Sequence, residues 1–197
     1  MGFYSSLSNY YDLIFPVSAE QEQFFAELVR DFKPQRVLDA ACGSGSQLLC
    51  FAKRGLTSFG FDADPEMVKL ARKKLSGYEN ATVEIGKFDQ ITQLFEPGFD
   101  LIMNIGNSIV HVPNDDARQF IADAHDMLNK EGLLLIQTLN YDRVFDQRIE
   151  ELPLITVSTH DLSFRRSYTF TSNKKVIFKT TIEVPSEGVT ISNSLPL

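Results

Sequence analysis

The ten residues from Val37 to Ser46 constrain the fold of this chain more than any others. They read Val-Leu-Asp-Ala-Ala-Cys-Gly-Ser-Gly-Ser, a short apolar run with Asp39 near its end and a Gly-x-Gly turn at Gly43 and Gly45. Glycine adopts positive φ and lets a ligand approach the backbone closely, and a helix that starts near Ser46 offers N–H groups without partners inside the helix. The pattern predicts a buried strand, a tight turn and a helix, with a ligand at the carboxyl end of the strand.

A second acidic residue follows a second apolar strand. The strand predicted at 58–62 ends in Asp62, about 20 residues after the turn, the spacing at which an acid binds ribose hydroxyls. The alternative role of Asp62 is to cap the next helix, but Asp64, followed by Pro65, suits that role better. Asp39 and Asp62 therefore indicate a nucleoside-containing cofactor across the carboxyl ends of two neighbouring parallel strands.

The glycine turn fits S-adenosylmethionine (SAM) better than a dinucleotide. A dinucleotide-binding turn carries a third glycine, in the pattern Gly-x-Gly-x-x-Gly, and here Leu48 occupies that position. Asp39 is not part of the dinucleotide pattern, whereas a carboxylate there can bind the ammonium of an amino-acid moiety. The alternative is a plain tight turn in an α/β protein, because a Gly-x-Gly sequence alone is weak support.

Helical and strand periodicities alternate over residues 1–140. The predicted strands are 36–41, 58–62, 82–86, 99–104 and 132–139. The predicted helices are 18–32, 46–54, one that starts at Pro65 after the cap Asp64, and one that starts at the cap Asn114. This alternation predicts an α/β fold, with a doubly wound, mostly parallel Rossmann-like sheet and helices on both faces.

After residue 140 the pattern changes to one short helix, at 141–151, and an antiparallel hairpin. The hairpin strands are predicted at 162–171 and 175–184, with a turn at 172–174. This hairpin is either a lid over the site or the antiparallel edge of the main sheet. We expect one domain over 1–197, in which 1–140 form the cofactor-binding core and 141–197 form the lid or edge segment.

The composition excludes several classes of protein. The net charge is -7 and the pI is about 5.0, so a protein that coats nucleic acid is not expected. The basic run from Arg72 to Lys74 fits a solvated helix face. Cys42 and Cys50 match neither a redox motif nor a zinc site. With neither an apolar span nor a signal-peptide pattern, we expect a cytoplasmic protein whose partner is a small molecule.

Two further strand ends carry candidate site residues. After the third strand, Phe88 can either cover an adenine ring or belong to the core. After the fourth strand comes a polar, glycine-containing turn that starts at Asn104 and reaches His111. Buried polar groups need partners, so we expect this turn beside the reacting methyl group. For His111 the alternative is a packing role at the start of a helix.

A resemblance to a known family rests on three stretches of the chain. They are Val37 to Gly45, Ile105 to Ser108 and Leu139 to Asp142, and the segments 161–163 and 173–184 are also similar. Over residues 10 to about 140 the chain resembles the class I SAM-dependent methyltransferases, and among them the glycine/sarcosine N-methyltransferases. The resemblance implies a SAM-binding enzyme that methylates a small molecule and releases S-adenosylhomocysteine, without a metal ion.

Together with the residues above, the resemblance implies a set of site residues. The expected cofactor-binding residues are Tyr11, Asp39, Ala41, Gly43, Ser44, Gly45, Asp62, Ala63, Met67, Lys87, Phe88, Asp89, Asn104, Ile105 and Gly106. The residues expected to position the methyl acceptor are Tyr11, Asn104, His111, Asn140 and Arg143, with Tyr10 beside them. Lys87 departs from the family, in which many relatives carry an acid or an amide that reads the adenine amino group.

Methyl transfer from a sulfonium is an in-line displacement that needs positioning and exclusion of water more than proton transfer. The expected reaction is transfer to an amine nitrogen. Arg143 either pairs with a substrate carboxylate or forms a surface salt bridge with Asp142, Asp146 or Glu150.

Three alternatives to this function stay open. One is a nicotinamide-dependent oxidoreductase, another is a protein that binds SAM or its product without catalysis, and the third is a relic of the fold that binds neither. The resemblance also implies further C-terminal elements, which predicts either a shortened lid here or a hairpin that itself serves as the sheet edge.

Overall fold

The computed structural model describes residues 7–171 and 175–197, so the predicted turn at 172–174 lies outside the described residues. The chain divides into two compact units. Of the described residues, the parallel-sheet unit contains 7–8 and Pro16–Thr138, and the antiparallel-sheet unit contains Asn9–Phe15 and Leu139–Leu197.

The α-helices and β-strands alternate through the parallel-sheet unit, as predicted. Among the described residues the α-helices are α1 (Tyr11–Ile14), α2 (Ala19–Phe32), α3 (Ser46–Ala52), α4 (Pro65–Leu75), α5 (Ile91–Leu94), α6 (Asn114–Met127) and α7 (Tyr141–Asp146). The strands are β1 (Arg36–Ala40), β2 (Thr57–Asp62), β3 (Ala81–Ile85), β4 (Phe99–Asn104), β5 (Leu128–Ile136), β6 (Ile155–Val157), β7 (Leu162–Phe170), β8 (Val176–Val184) and β9 (Val189–Pro196). Short 3₁₀ turns lie at Phe88–Gln90, Ile109–His111, Ser158–His160 and Pro185–Glu187.

The first five strands form one parallel sheet in the order β3-β2-β1-β4-β5. The strand order reverses at β1, so the crevice for a ligand is expected at the carboxyl ends of β1 and its neighbours. Val37 and Leu38 are fully buried, because helices cover both faces of the sheet. One core cluster packs α2, α3 and α4 on the sheet, and the other is rich in phenylalanine and includes Phe99 and Phe120. The predicted α/β, doubly wound Rossmann-like sheet is confirmed.

Of the two predicted helix caps, Asp64 is confirmed and Asn114 is wrong. Ser18 caps α2 in a capping box with Gln21, and Asp64 accepts hydrogen bonds from the first turn of α4. Asn114, in contrast, is the first residue of α6 and its predicted capping role is wrong, because Pro113 occupies the cap position and forms no side-chain bond.

The start of β5 differs from the prediction. The strand begins at Leu128, directly after α6, and its pairing with β4 contains an irregularity before Leu133. Glu131 lies at φ 68° within that irregularity. The extra residues of a bulge break the two-residue alternation of a regular strand. The sequence pattern therefore indicated only the second half of β5, where the apolar run begins after Gly132.

The antiparallel-sheet unit has its own four-stranded sheet, in the order β6-β7-β8-β9. The predicted hairpin of β7 and β8 is confirmed, but these strands pair with β6 and β9 and form the centre of a separate sheet, not an edge of the parallel one. Helix α7 packs on this sheet, with Tyr141 against Tyr168 and Phe145 against Phe170. It ends at Asp146, earlier than predicted.

Residues 9–15 also belong to the antiparallel-sheet unit. The ring of Phe15 lies 5.5 Å from that of Phe164, and Tyr10 Oη donates to Glu187 Oε2 at 2.7 Å. That hydrogen bond raises the pKa of Tyr10. Residues 9–15 therefore pack with the C-terminal sheet. Across the described part of the chain, none of the helices is long and apolar enough to cross a membrane.

Candidate functional site

The turn between β1 and α3 contains three residues with positive φ. Ala41 lies at φ 61°, Gly43 at 53° and Gly45 at 77°. Ala41 is unusual, since a residue with a Cβ atom pays a steric cost in the left-handed region. At Gly45 a Cβ atom would lie 3.0 Å from the Cβ atom of Ala71 on α4. The turn is thus held in one conformation by its own backbone and by close packing against α4.

Asp62, at the end of β2, fixes the same turn from the other side. Its Oδ2 accepts a hydrogen bond from Gly43 N at 2.8 Å, and its Oδ1 accepts one from Asp64 N at 2.9 Å. Burial raises the pKa of Asp62, although these two hydrogen bonds oppose the shift. Each carboxylate oxygen retains a second lone pair, so the ribose-binding role stays a prediction. Asp62 also links the ends of β1 and β2, and sequence reasoning missed this structural role.

We expect Asp62→Ala to lower the free energy of unfolding by about 1–3 kcal/mol even without ligand, because the N–H groups of Gly43 and Asp64 lose their acceptor. Urea unfolding of the ligand-free protein measures this change. Asp89→Ala removes an exposed carboxylate and should change stability by less than about 0.5 kcal/mol. Equal stability of the Asp62→Ala variant and the wild type would show that Asp62 does not hold the turn.

Two buried acceptor atoms lie at the carboxyl ends of β1 and β4. Asp39 is 2% exposed and Asn104 is fully buried, and Asp39 Oδ2 and Asn104 Oδ1 have no hydrogen-bond donor among the described residues. Asn104 Nδ2 donates to Ala40 O at 2.7 Å, which fixes the amide with its oxygen unpaired. Burial, and then the charge of Asp62, raises the pKa of Asp39 well above its ordinary value. Buried acceptors without donors are rare and costly, so they fit a ligand that brings N–H or ammonium groups.

Gln137, just after β5, secures the turn that follows β4. Its backbone N donates to Asn104 O at 3.0 Å, and its side-chain Oε1 accepts from Gly106 N at 2.8 Å. Its carbonyl oxygen accepts from Asn107 N at 3.2 Å. The residues Gly106 and Asn107 have φ of 80° and 68°. Sequence reasoning missed Gln137, although a polar residue directly after an apolar strand was a usable signal.

His111 closes that turn in a short 3₁₀ segment, where it is half-buried. Burial lowers the pKa of His111, so the neutral imidazole is favoured. Its predicted role beside the acceptor stays a prediction.

The residues after β3 divide between core and surface. The ring of Phe88 is 7% exposed and lies 4.6 Å from that of Phe120, so the core alternative describes its position. Lys87 and Asp89 are exposed on either side of it. Met67 is buried in α4 and the neighbouring Ala63 is exposed.

One member of the basic run on α4 turns towards the glycine turn. Arg72 and Lys73 are exposed, as expected of a solvated face. Lys74 is half-buried, and its Nζ donates to Ser44 Oγ at 3.1 Å and also to Ser46 Oγ. Ser44 is itself buried. Lys74 is therefore a further link between α4 and the turn, and the basic run does not form a uniformly solvated face.

The remaining predicted residues lie in the antiparallel-sheet unit. Asn140 caps α7, since its Oδ1 accepts from Arg143 N at 2.9 Å. The exposed Arg143 donates from Nε to Gln147 Oε1 at 3.1 Å, and none of the carboxylates among the described residues pairs with it. The salt-bridge alternative for Arg143 is therefore not observed. The ring of Tyr11 packs 5.2 Å from that of Phe15.

The structure thus brings together Asp39, Asp62, Asn104 and the glycine turn in one unit, and Tyr11, Asn140 and Arg143 in the other. Within residues 7–171 and 175–197, no group of three or more His, Cys, Asp or Glu side chains is arranged to hold a metal ion.

Comparison with known proteins agrees with this fold. A family model described as "Methyltransferase domain" matches residues 37–132, which run from β1 to Gly132 within β5 and contain the glycine turn, Asp62 and Asn104. The domain match and the Rossmann-like sheet together support one class of protein, the class I SAM-dependent methyltransferases. The resemblance predicted from Val37 to Gly45 is confirmed at the level of family and fold.

Individual curated relatives are similar to this chain over about two thirds of its length. It is 27% identical over 138 residues to a glycine/sarcosine N-methyltransferase from Aphanothece halophytica, and this alignment covers 66% of this chain and 50% of that protein. It is 29% identical over 140 residues to the glycine N-methyltransferase of Mus musculus, covering 64% and 48%. The chain spans about half the length of these curated relatives.

A crystal structure of a SAM-dependent methyltransferase from Clostridium acetobutylicum extends the similarity of fold to nearly the whole chain. The match has a TM-score of 0.78 at 16% identity and covers 99% of this chain and 81% of that one.

Proposed function

We propose that this protein transfers a methyl group from SAM to the amine nitrogen of a small molecule. The observation that carries the proposal is the pair of buried acceptors without donors, Asp39 Oδ2 and Asn104 Oδ1, at the carboxyl ends of two adjacent strands. A ligand with an ammonium group and a polar ribose matches that requirement. The carboxylate of Asp39 attracts such an ammonium group, whereas it would repel the phosphates of a dinucleotide.

Each part of the site has a role in this proposal. Asp39 binds the ammonium of the methionine moiety, Asp62 accepts from the ribose hydroxyls, and the backbone of the glycine turn lies along the ligand. When bound, SAM supplies an electrophilic methyl group on a sulfonium. Phe88 and Met67 are buried in the core and belong to the proposed cofactor-binding set. The whole set is Tyr11, Asp39, Ala41, Gly43, Ser44, Gly45, Asp62, Ala63, Met67, Lys87, Phe88, Asp89, Asn104, Ile105 and Gly106.

The chain's own residues would orient the acceptor and exclude water. The proposed positioning residues are Tyr11, Asn104, His111, Asn140 and Arg143. Burial lowers the pKa of His111 and favours its neutral form, so its side chain would not oppose the positive charge that develops on the amine nitrogen during transfer. We further propose that 1–140 and 141–197 act as one methyltransferase domain.

The relatives at 27% and 29% identity support an amine acceptor, since their names describe glycine and sarcosine as the molecules that they methylate. Glycine and sarcosine each carry one amine and one carboxylate. We therefore propose a small amino-carboxylate as the acceptor class.

Calorimetric titration with SAM, S-adenosylhomocysteine and NADH tests the cofactor. We expect binding of the first two and not of NADH, and ligand at 100 times its Kd should add about 2.7 kcal/mol to the free energy of unfolding. Incubation with SAM and glycine, sarcosine or an uncharged amine should then release S-adenosylhomocysteine. Absence of SAM binding would overturn the proposal, and binding without transfer to any acceptor would leave a SAM-binding protein without catalysis.

A further inference from the structure

The turn after β4 contains two consecutive residues in the left-handed region of backbone conformation. Gly106 lies at φ 80° and Asn107 at φ 68°. A residue with a Cβ atom is disfavoured there, although asparagine tolerates the region better than most residues. A turn of this kind keeps one conformation only where the surrounding structure fixes it. We call residues 104–107 the β4 turn.

Side-chain packing does not fix the β4 turn at Gly106. This residue is exposed, and a Cβ atom there would meet nothing within 4 Å among the described residues. The glycine turn differs, because a Cβ atom at Gly45 would lie 3.0 Å from Ala71 Cβ. Close packing therefore restricts the backbone at Gly45 and leaves it unrestricted at Gly106, where hydrogen bonds have to supply the constraint.

Three hydrogen bonds join Gln137, directly after β5, to the β4 turn. Gln137 N donates to Asn104 O at 3.0 Å, and Gln137 O accepts from Asn107 N at 3.2 Å. The side-chain Oε1 of Gln137 accepts from Gly106 N at 2.8 Å. The first two bonds use backbone atoms, which nearly every residue type possesses. The bond to Gly106 depends on the glutamine side chain, so a substitution can remove it alone.

The β4 turn begins at a buried residue of the candidate site. Asn104 is fully buried, its Nδ2 donates to Ala40 O at 2.7 Å, and its Oδ1 has no donor in the described part of the chain. In the proposed function, Asn104, Ile105 and Gly106 belong to the cofactor-binding set. A binding segment that already has its bound conformation removes an ordering cost from ligand binding.

We propose that Gln137 is a positioning residue that holds the β4 turn in the conformation that binds the cofactor. It acts through the hydrogen bond from Gly106 N to its Oε1, and it needs no contact of its own with SAM. This role rests on the proposed function, in which the turn contacts SAM. One hydrogen bond corresponds to a factor of about five in the ratio of two conformations. Its loss therefore raises the Kd of SAM by up to about fivefold.

Gln137→Met tests this role, because methionine keeps the unbranched shape of glutamine and lacks the amide oxygen. Calorimetric titration should give a Kd of SAM about two- to fivefold above that of the wild type. The Tm should fall by less than about 3 °C, since the exposed Gly106 N–H can donate to water instead. Gln137→Glu retains an acceptor oxygen for Gly106 N and should bind SAM no more weakly than the wild type.

Amide hydrogen exchange, measured by NMR, tests the same hydrogen bond in the absence of ligand. In Gln137→Met the Gly106 amide should exchange about fivefold faster than in the wild type, because its acceptor is lost. In Gln137→Glu it should exchange no faster than in the wild type. Restoration by glutamate of both the exchange rate and the Kd would show that the acceptor oxygen is the property that matters.

Asn129→Leu is the matched control at the other end of β5. The exposed Asn129 donates from Nδ2 to Gly98 O at 3.2 Å and to Asp100 Oδ1 at 2.8 Å. Asn129→Leu should lower the Tm at least as much as Gln137→Met does, because two hydrogen bonds are lost. It should leave both the Kd of SAM and the exchange of the Gly106 amide unchanged.

Equal exchange of the Gly106 amide in Gln137→Met and the wild type would overturn the proposal, since Gln137 would then not hold the turn. Faster exchange with an unchanged Kd of SAM would also overturn it, as would weaker binding in Gln137→Glu or an equal loss of affinity in Asn129→Leu. A wild type that does not bind SAM would overturn the proposed function and, with it, the cofactor role of the turn. The exchange rates would still show whether Gln137 holds the turn, so the two failures are distinguishable.

Discussion

Asp39→Asn is expected to weaken SAM binding by about 10- to 150-fold. A hydrogen bond to a charged group contributes about 1.5–3 kcal/mol, and Asp39 Oδ2 is buried with no donor from the chain to compete with a ligand. Asparagine keeps the size of the side chain and removes its charge. Calorimetric titration of SAM into the wild type and the variant measures the difference.

The same substitution is expected to stabilise the ligand-free protein at high pH. Burial and the charge of Asp62 raise the pKa of Asp39 in the folded state above the value of about 3.9 in an unfolded chain. The folded state then holds the proton more tightly, so the stability from this group is complete below the unfolded pKa and is lost as pH rises through the folded pKa. Asp39→Asn has no such proton, and its advantage over the wild type in unfolding free energy should grow as pH rises through that window.

Asp100→Asn is a control for which we expect the opposite effect on the free energy of unfolding. Asp100 Oδ2 accepts from Gln35 N and Arg36 N, and Oδ1 accepts from Asn129 Nδ2. Partial burial opposes the shift, but these bonds lower the pKa of Asp100 overall. Asp100→Asn should therefore destabilise the protein near neutral pH and leave SAM affinity unchanged. If Asp39→Asn bound SAM as tightly as the wild type, Asp39 would not be the ammonium-binding group.

Local chemistry explains which parts of the fold were predictable. Asp64 followed by Pro65 specifies a helix start through neighbouring atoms alone. The apolar run around Val37 specifies a buried parallel strand for the same reason. β9 was missed, although its residues alternate, because Ser192, Asn193 and Ser194 in its centre gave no apolar face to recognise.

The contacts that hold the site depend on distant residues and could not be read from the sequence. Gly43 donates to Asp62, which lies 19 residues away, and Gly106 donates to Gln137, which lies 31 residues away. Lys74 reaches Ser44 across 30 residues. Sequence placed the acids correctly at strand ends, but only the sheet register shows that Asp62 supports the turn.

Register was equally decisive for Arg166 on β7 and Thr180 on β8. Arg166 and Thr180 look unremarkable in strands that alternate polar and apolar residues. Whether they face solvent or the apolar side depends on pairing, since a shift of one residue exchanges the two faces of a strand. The observed register places both on the face that also carries the buried Phe164 and Ile182, and Thr180 is only 2% exposed there.

Gly45→Ala is expected to lower the free energy of unfolding by about 2–5 kcal/mol and to abolish measurable SAM binding. The residue has φ 77°, and a side chain in the left-handed region costs about 1–2 kcal/mol. Its new Cβ atom would also lie 3.0 Å from Ala71 Cβ and 3.3 Å from Ala71 Cα. The backbone of α4 has to move to relieve this contact, and overpacking of that kind costs about 1–3 kcal/mol more.

Gly55→Ala isolates the conformational cost, because Gly55 has φ 83° and a Cβ atom there would meet nothing within 4 Å. It should cost only about 1–2 kcal/mol and leave SAM affinity unchanged. Urea unfolding and calorimetric titration of both variants give the comparison. Since the two glycines share the same backbone strain, the difference between them reports the packing of α4 on the turn. Equal destabilisation would mean that α4 moves away from the new methyl group at no measurable cost in free energy. Retained SAM binding in Gly45→Ala would mean that binding does not depend on the shape of this turn.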